Sequence, residues 1–197
     1  MLNIVCVNAG NYLGRGQWYV DQLHMGIQKN VTIPHKFVVF NDANLPPETL
    51  RRGWYNKLYL FKRGVLNGRV LFFDLDTIIL QNIDDIAQCQ SPFAMLSDFM
   101  RHGIYGSGIM AWDADTMPDI YQMWLDDGAP NHWDGDQGII KALAPKPDLL
   151  QNAYGGIHSY KVHGVRKDTR VLCFHGKPKP HETDLWQDNH TDISRKK

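Results

Sequence analysis

No apolar run in the sequence approaches the roughly 18 residues that a membrane-crossing helix needs. There is no net charge to read either: 21 basic side chains face 21 acidic ones. That balance removes the global electrostatic attraction that marks many nucleic-acid partners. Cysteine is scarce and odd in number, at Cys6, Cys89 and Cys173. Such spacing implies no disulfide framework and favours a reducing compartment, with Cys6 and Cys173 expected to behave as small core hydrophobes. The N-terminal MLNIVCVNAG has no basic leader and reads as a first strand. Repeats and low-complexity segments are also missing. The expectation is a protein of the cytoplasm, or of a host cytoplasm if its source is viral, with no transmembrane segment and no nucleic-acid partner.

The sequence does hold enough apolar material for one folded unit. It is 43% hydrophobic over 197 residues, and a chain of that size buries roughly 70% of its unfolded surface. We expect one domain over residues 1–187 and a polar tail over 188–197. Leu2–Val7 alternates as a strand and meets the turn Asn8–Asn11. A helix is predicted over Gln17–Gln28, with Trp18, Leu23 and Ile27 free to pack. Lys36–Asn41 is a short buried strand, followed by a loop to Pro47. Trp54, Leu58, Phe61 and Val65 recur at helical spacing, which predicts a helix with those residues facing the core. Arg69–Phe73 is the next strand. This strand–helix alternation predicts an α/β domain whose largely parallel sheet binds ligands at the carboxyl ends of its strands. Beyond it, Phe93–Ser97 and Gly108–Trp112 read as strands. Met117–Leu125 reads as a helix starting near Asp113 or Asp115, and Asp136–Ala142 as a short helix. Ala144–Gly156 reads as loop and Thr169–Phe174 as a last strand.

The chemistry concentrates after Val70-Leu71-Phe72-Phe73, where Asp74-Leu75-Asp76 follows. Residues two apart on a strand point to one side. Two carboxylates aimed together repel, and a divalent cation removes the conflict. Hard oxygen ligands suit Mg²⁺ or Mn²⁺, which in turn bind a diphosphate.

The surroundings of this pair are more specific than the pair. Trp54–Asp85 contains Lys57-Leu58 on a helix, the apolar strand, Asp74-Leu75-Asp76, and then Leu80 with Asn82-Ile83-Asp84. The block resembles glycogenin and the related retaining galactosyl- and glucosyltransferases, which carry the DxD motif in the same setting. Tyr105-Gly106-Ser107-Gly108 resembles the family's asparagine–serine–glycine strand, with Gly106 in place of the asparagine. Asp134-Gly135-Asp136-Gln137-Gly138 resembles its aspartate–glutamine–glycine turn, and His175-Gly176-Lys177-Pro178-Lys179-Pro180 its C-terminal histidine–glycine–lysine–proline segment.

The resemblance implies a GT-A fold: a single Rossmann-like domain with a central, mostly parallel sheet flanked by helices. It implies a metal-dependent hexosyltransferase using a nucleotide-sugar, with UDP-glucose or UDP-galactose as donor. The acceptor, a glycan, protein or small molecule, is left open. Mn²⁺ or Mg²⁺ is expected on Asp74, Asp76 and His175, with His163 and His181 as competing imidazoles. Asn8, Ala9 and Tyr12 are expected beside the nucleotide. Lys57, Leu75, Asp98, Ser107, Asp134 and Gly176 complete the expected donor contacts, together with Lys177 or Lys179. A solvated Lys57 is the competing reading. Asp136 and Gln137 are expected at the reacting sugar. Retention is the family's outcome, through front-face return or a covalent intermediate. Two alternatives are a haloacid-dehalogenase-like phosphatase using Asp74 as nucleophile and a non-catalytic nucleotide-sugar binding module. The phosphatase reading lacks the glycine that follows its DxD.

Overall fold

The computed structural model describes residues 1–50 and 53–185; the expected boundary at residue 187 and the tail lie outside them. The chain forms a six-stranded sheet in the order β2 (His35–Asn41), β1 (Leu2–Asn8), β3 (Arg69–Phe73), β6 (Tyr105–Asp113), β5 (Phe93–Ser97), β7 (Asp148–Leu149). β1 pairs in parallel with β2 and β3, and β5 with β7, while β6 runs antiparallel to both its neighbours. Five strands therefore share one direction, and the expected mostly parallel α/β sheet is present. A second sheet, β4 (Thr77–Ile79), β9 (Val171–Cys173) and β8 (Ile157–Ser159), has no counterpart in the sequence reading of 77–79 and 157–159. Its strands are three residues long, too short to show a period.

Strand alternation sends side chains to two cores. Leu2, Ile4 and Cys6 of β1 and Leu71 and Phe73 of β3 meet Tyr19, Leu23 and Ile27 of the helix Gly16–Asn30 on one face. Val5, Val70 and Phe72 meet Leu58, Phe61, Tyr121 and Trp124 on the other. Each such buried side chain contributes about 1.5–3 kcal/mol relative to exposure. All three cysteines are buried and unpaired, and burial pushes the Cys6 thiol up to about 12.

Three local expectations need correction. Gly53–Phe61 is a 3₁₀ helix rather than an α-helix. With three residues per turn, Tyr55, Leu58 and Phe61 form the buried ridge, and Trp54 turns outward on the ridge it shares with Lys57. The helix Ile120–Asp126 starts later than expected. Its cap is Asp119, which accepts from Gln122 N at 2.9 Å and from Arg63 N at 3.1 Å. Asp119→Ala should lower stability by about 1–2 kcal/mol in urea unfolding, with Asp119→Asn losing less; equal losses would remove the capping account. Within Ala144–Gly156, residues 148–149 are the edge strand β7 and Leu150–Ala153 is a helical turn, because Leu150 is buried under the sheet.

Candidate active site

The carboxyl ends of β1, β3 and β5 and the amino end of β6 meet at one edge of the large sheet, where a cleft opens. One part, about 520 Å³, includes Asp98, Ser107, Asp134, Asp136 and Gln137. The other, about 360 Å³, includes Ala9, Tyr12, Asp76, Leu75, Gly176 and Lys179. Trp54, Lys57, Asp74 and His175 border both. Most of the expected site residues are thus brought together, from seven separate stretches of chain.

Asp74 continues the ladder by donating its N–H to Gly108 O at 2.8 Å, and the chain then turns, Thr77 N donating to Asp74 O at 3.1 Å. The two carboxylates therefore reach the cleft from a turn between β3 and β4, not from the strand as expected. β4 pairs with β9, Thr77 opposite Cys173, and this register carries the following segment 174–179 to the acidic pair.

Each carboxylate meets an ammonium. Lys57 Nζ lies 2.8 Å from Asp74 Oδ1 and 3.1 Å from Oδ2, 3.2 Å from Ser107 Oγ and 3.5 Å from Asp136 Oδ2. Lys57 is 8% exposed, so the solvated reading fails: the 3₁₀ ridge turns it into the cluster. Its own burial pulls its pKa down, but Asp136 and Asp74 outweigh that and hold the ammonium firmly charged. The Asp74 side chain keeps 32% of its surface open to the cleft. Even so, the protein packed around it lifts its carboxyl to about 6; Lys57 opposes the rise and Asp76 and Asp136 add to it. Asp136 Oδ2 is buried and has no hydrogen-bond partner among the described residues.

Asp76 Oδ2 takes Lys179 Nζ at 2.5 Å and Tyr12 OH at 2.9 Å. Burial, then the Asp76 charge, keeps the Tyr12 phenol protonated far above its usual range. Lys177 is exposed and does not line the cleft, so Lys179 is the lysine the fold brings to the acidic pair.

His175 faces the same cleft. Its Nε2 lies 2.7 Å from Ser159 Oγ, and its ring stacks on Phe99 with centroids 6.1 Å apart. Burial, then the Lys161 ammonium, holds its pKa below the ordinary imidazole value, which favours the neutral ring. The competing imidazoles are engaged elsewhere: His181 Nδ1 with Tyr19 OH at 2.6 Å, and His163 Nδ1 accepting from Ser159 N at 3.0 Å. Among the described residues no group of three carboxylate, imidazole or thiol side chains stands close enough to hold a metal. Asp74, Asp76 and His175 share the cleft, but their donor atoms are paired with Lys57, Lys179 and Ser159. By type the set fits a divalent cation: hard oxygens and one neutral imidazole. By charge it fits one too, since three carboxylates face two ammoniums before any diphosphate enters. A cation held through Asp76 Oδ2 and His175 Nε2 would take the places of Lys179 and Ser159 at those atoms.

Other expected contacts sit differently. Asn8 lies against Gly16, where a Cβ would come 2.0 Å from Asn8 Oδ1, and that oxygen accepts from Tyr12 N at 3.4 Å; Asn8 shapes the turn and does not line the cleft. Asp98 and Asp134 line the cleft, but Arg101 ties them together, Nη2 to Asp98 Oδ2 at 2.8 Å and Nη1 to Asp134 Oδ1 at 3.0 Å. Sequence reasoning missed Arg101, Ser159, Phe99 and Trp133. Only Trp133, a lone indole in a polar loop, carried a readable signal.

Neither family models nor curated proteins match the chain. Solved structures do. The glycosyltransferase GlyE of Streptococcus pneumoniae TIGR4 superposes with a TM-score of 0.68 at 13% identity, over 98% of this chain and 61% of that one. The galactosyltransferase LgtC, solved with donor and acceptor sugar analogues, gives 0.64 at 12% identity over 90% of this chain and 88% of that one. The bifunctional glycosyltransferase WbbM gives 0.66 at 11% identity, over 95% of this chain and 48% of that one. The chain thus spans under two thirds of GlyE and about half of WbbM, and neither alternative reading is favoured by these neighbours. Sheet order, the edge that carries the cleft and these superpositions agree: the chain has the GT-A glycosyltransferase fold.

Proposed function

We propose that this protein is a metal-dependent hexosyltransferase that moves a sugar from a UDP-sugar, with glucose or galactose, to an acceptor with retention. The observation that carries the reading is the ion cluster at the sheet edge, in which Asp74 and Asp76 are matched by Lys57 and Lys179. LgtC, a galactosyltransferase with donor and acceptor analogues bound, supports it as a fold neighbour. Ala9 and Tyr12 border the nucleotide end of the cleft. Asp74, Asp76 and His175 hold Mn²⁺ or Mg²⁺, which when bound neutralises charge growing on the leaving diphosphate. Lys179 offers the diphosphate a second positive charge from a segment stiffened by prolines. Lys57 holds Asp74 and Asp136 in place from beneath. Asp136 Oδ2, which has the ion pair with Lys57 at 3.5 Å but no hydrogen bond among the described residues, is suited to accept from a donor-sugar hydroxyl, beside Gln137. The buried, unpaired cysteines support a cytoplasmic site of action, and among the described residues no helix is long and apolar enough to cross a membrane.

The test is UDP binding with and without Mn²⁺. At a hundredfold excess over Kd a ligand stabilises by about 2.7 kcal/mol, a rise in melting temperature of about 5–10 °C for a chain of this size. The rise should vanish with EDTA, and UDP-glucose or UDP-galactose should turn over only with the metal. A shift indifferent to EDTA sinks the metal assignment, and no shift at all sinks the reading.

A further inference from the structure

Five of the six tryptophans are described, and they divide sharply. Trp112 and Trp124 are fully buried and Trp18 is half-buried, whereas Trp54 is 69% and Trp133 is 78% exposed. Both exposed indoles lie on the cleft, in the part that holds Asp136 and Gln137. Exposing large aromatic surface at one place is costly unless something covers it.

Both rings are set by the backbone around them. Trp54 lies against Gly135, where φ is +65° and an added Cβ would come 3.3 Å from indole Cε3. Glycine there permits the backbone turn and leaves room for the ring. The next residue, Tyr55, accepts from His132 N at 2.6 Å through its hydroxyl, fixing the turn that carries Trp133. The other side of that turn is held by Arg101 through Asp134. Trp133 therefore leads into the helix Gly135–Leu143 and Trp54, from the 3₁₀ helix, packs against that helix's first residue, so both indoles stand at its N-terminal end beside Asp136.

We propose that Trp54 and Trp133 form a stacking platform for a pyranose ring of the acceptor, so that the acceptor is a carbohydrate; this rests on the transferase reading above. A pyranose has an apolar face of C–H groups and a rim of hydroxyls. The C–H face suits the electron-rich indole, and Asp98, Arg101 and Gln137 border the same space with donors and acceptors for the rim. The platform is not the nucleotide's. Tyr12, Ala9 and Lys179 border only the far part of the cleft, and Trp133 only the near part. An acceptor stacked there sits next to Asp136, where the sugar would be transferred.

The test uses a glycan array and a peptide array probed with the whole protein, alongside the UDP melting shift. Wild type should bind a defined set of glycans. Trp133→Ala and Trp54→Ala should each weaken that binding at least tenfold, Trp133→Phe should stay within about threefold because it keeps a stacking face, and the UDP shift of Trp133→Ala should match wild type. Glycan binding unaffected by both alanine variants overturns the platform, as does binding confined to peptides. Glycan binding that depends on both indoles without any UDP shift supports the platform and removes the transferase reading instead.

Discussion

Asp76→Asn should reduce kcat/KM by about a thousandfold and abolish the Mn²⁺-dependent part of the UDP melting shift. Asparagine keeps the volume of a side chain that is 8% exposed and can still accept from Tyr12 OH. What it loses is the charge that balances Lys179 at 2.5 Å and that a cation requires. Removing one group that stabilises transition-state charge typically costs a hundred- to a thousandfold, and a metal ligand belongs at the upper end. At 1.36 kcal/mol per tenfold, the loss corresponds to about 4 kcal/mol of barrier. The fold should survive, because the substitution leaves no cavity. A variant that retains wild-type turnover and its EDTA-sensitive shift excludes Asp76 from the ion's ligands.

Lys57→Met should be the most destabilising single change at this site, at about 3–5 kcal/mol, the usual result of leaving buried charges without their partner. Total stabilities of domains are about 5–15 kcal/mol, so the loss should be plain in urea unfolding. Activity should fall with it, since Asp74 and Asp136 would repel each other. The deficit should depend on pH in a definite direction. Asp74 already stands near 6 against an ordinary 3.8, and removing Lys57 raises it further. A carboxyl whose folded pKa is raised contributes stability below its unfolded value and loses it as pH rises through the folded one. In the metal-free variant the deficit should therefore be small near pH 4, grow as pH rises past about 6, and be full only above the variant's own, higher Asp74 pKa. Asp136→Asn in the Lys57→Met background should recover part of it. A deficit equal at pH 4 and pH 7 would point to lost packing of the lysine stem instead.

The first half of the fold was legible because its signals are local. β1, the helix Gly16–Asn30, β2 and β3 each span five or more residues with a clear period, and all four stand within two residues of expectation. The acidic pair was legible for the same reason, as a short motif after an apolar strand. The 3₁₀ helix was not. Trp54, Leu58 and Phe61 fit the α period, and only packing of the Tyr55 ring against Trp124 and of Phe61 against Trp112 selects the tighter turn. That difference moves Trp54 from core to cleft and removes the competing, solvated reading of Lys57.

Sequence by itself determined the α/β alternation and the carboxylate pair that follows an apolar strand. Tertiary structure alone decided which lysine stands beside Asp76, that Arg101 joins Asp98 to Asp134, and that two indoles face one cleft. Those choices join residues tens of positions apart. They are set by the pairing of β4 with β9 and by the meeting of seven chain segments at one sheet edge, and no local period encodes such a meeting.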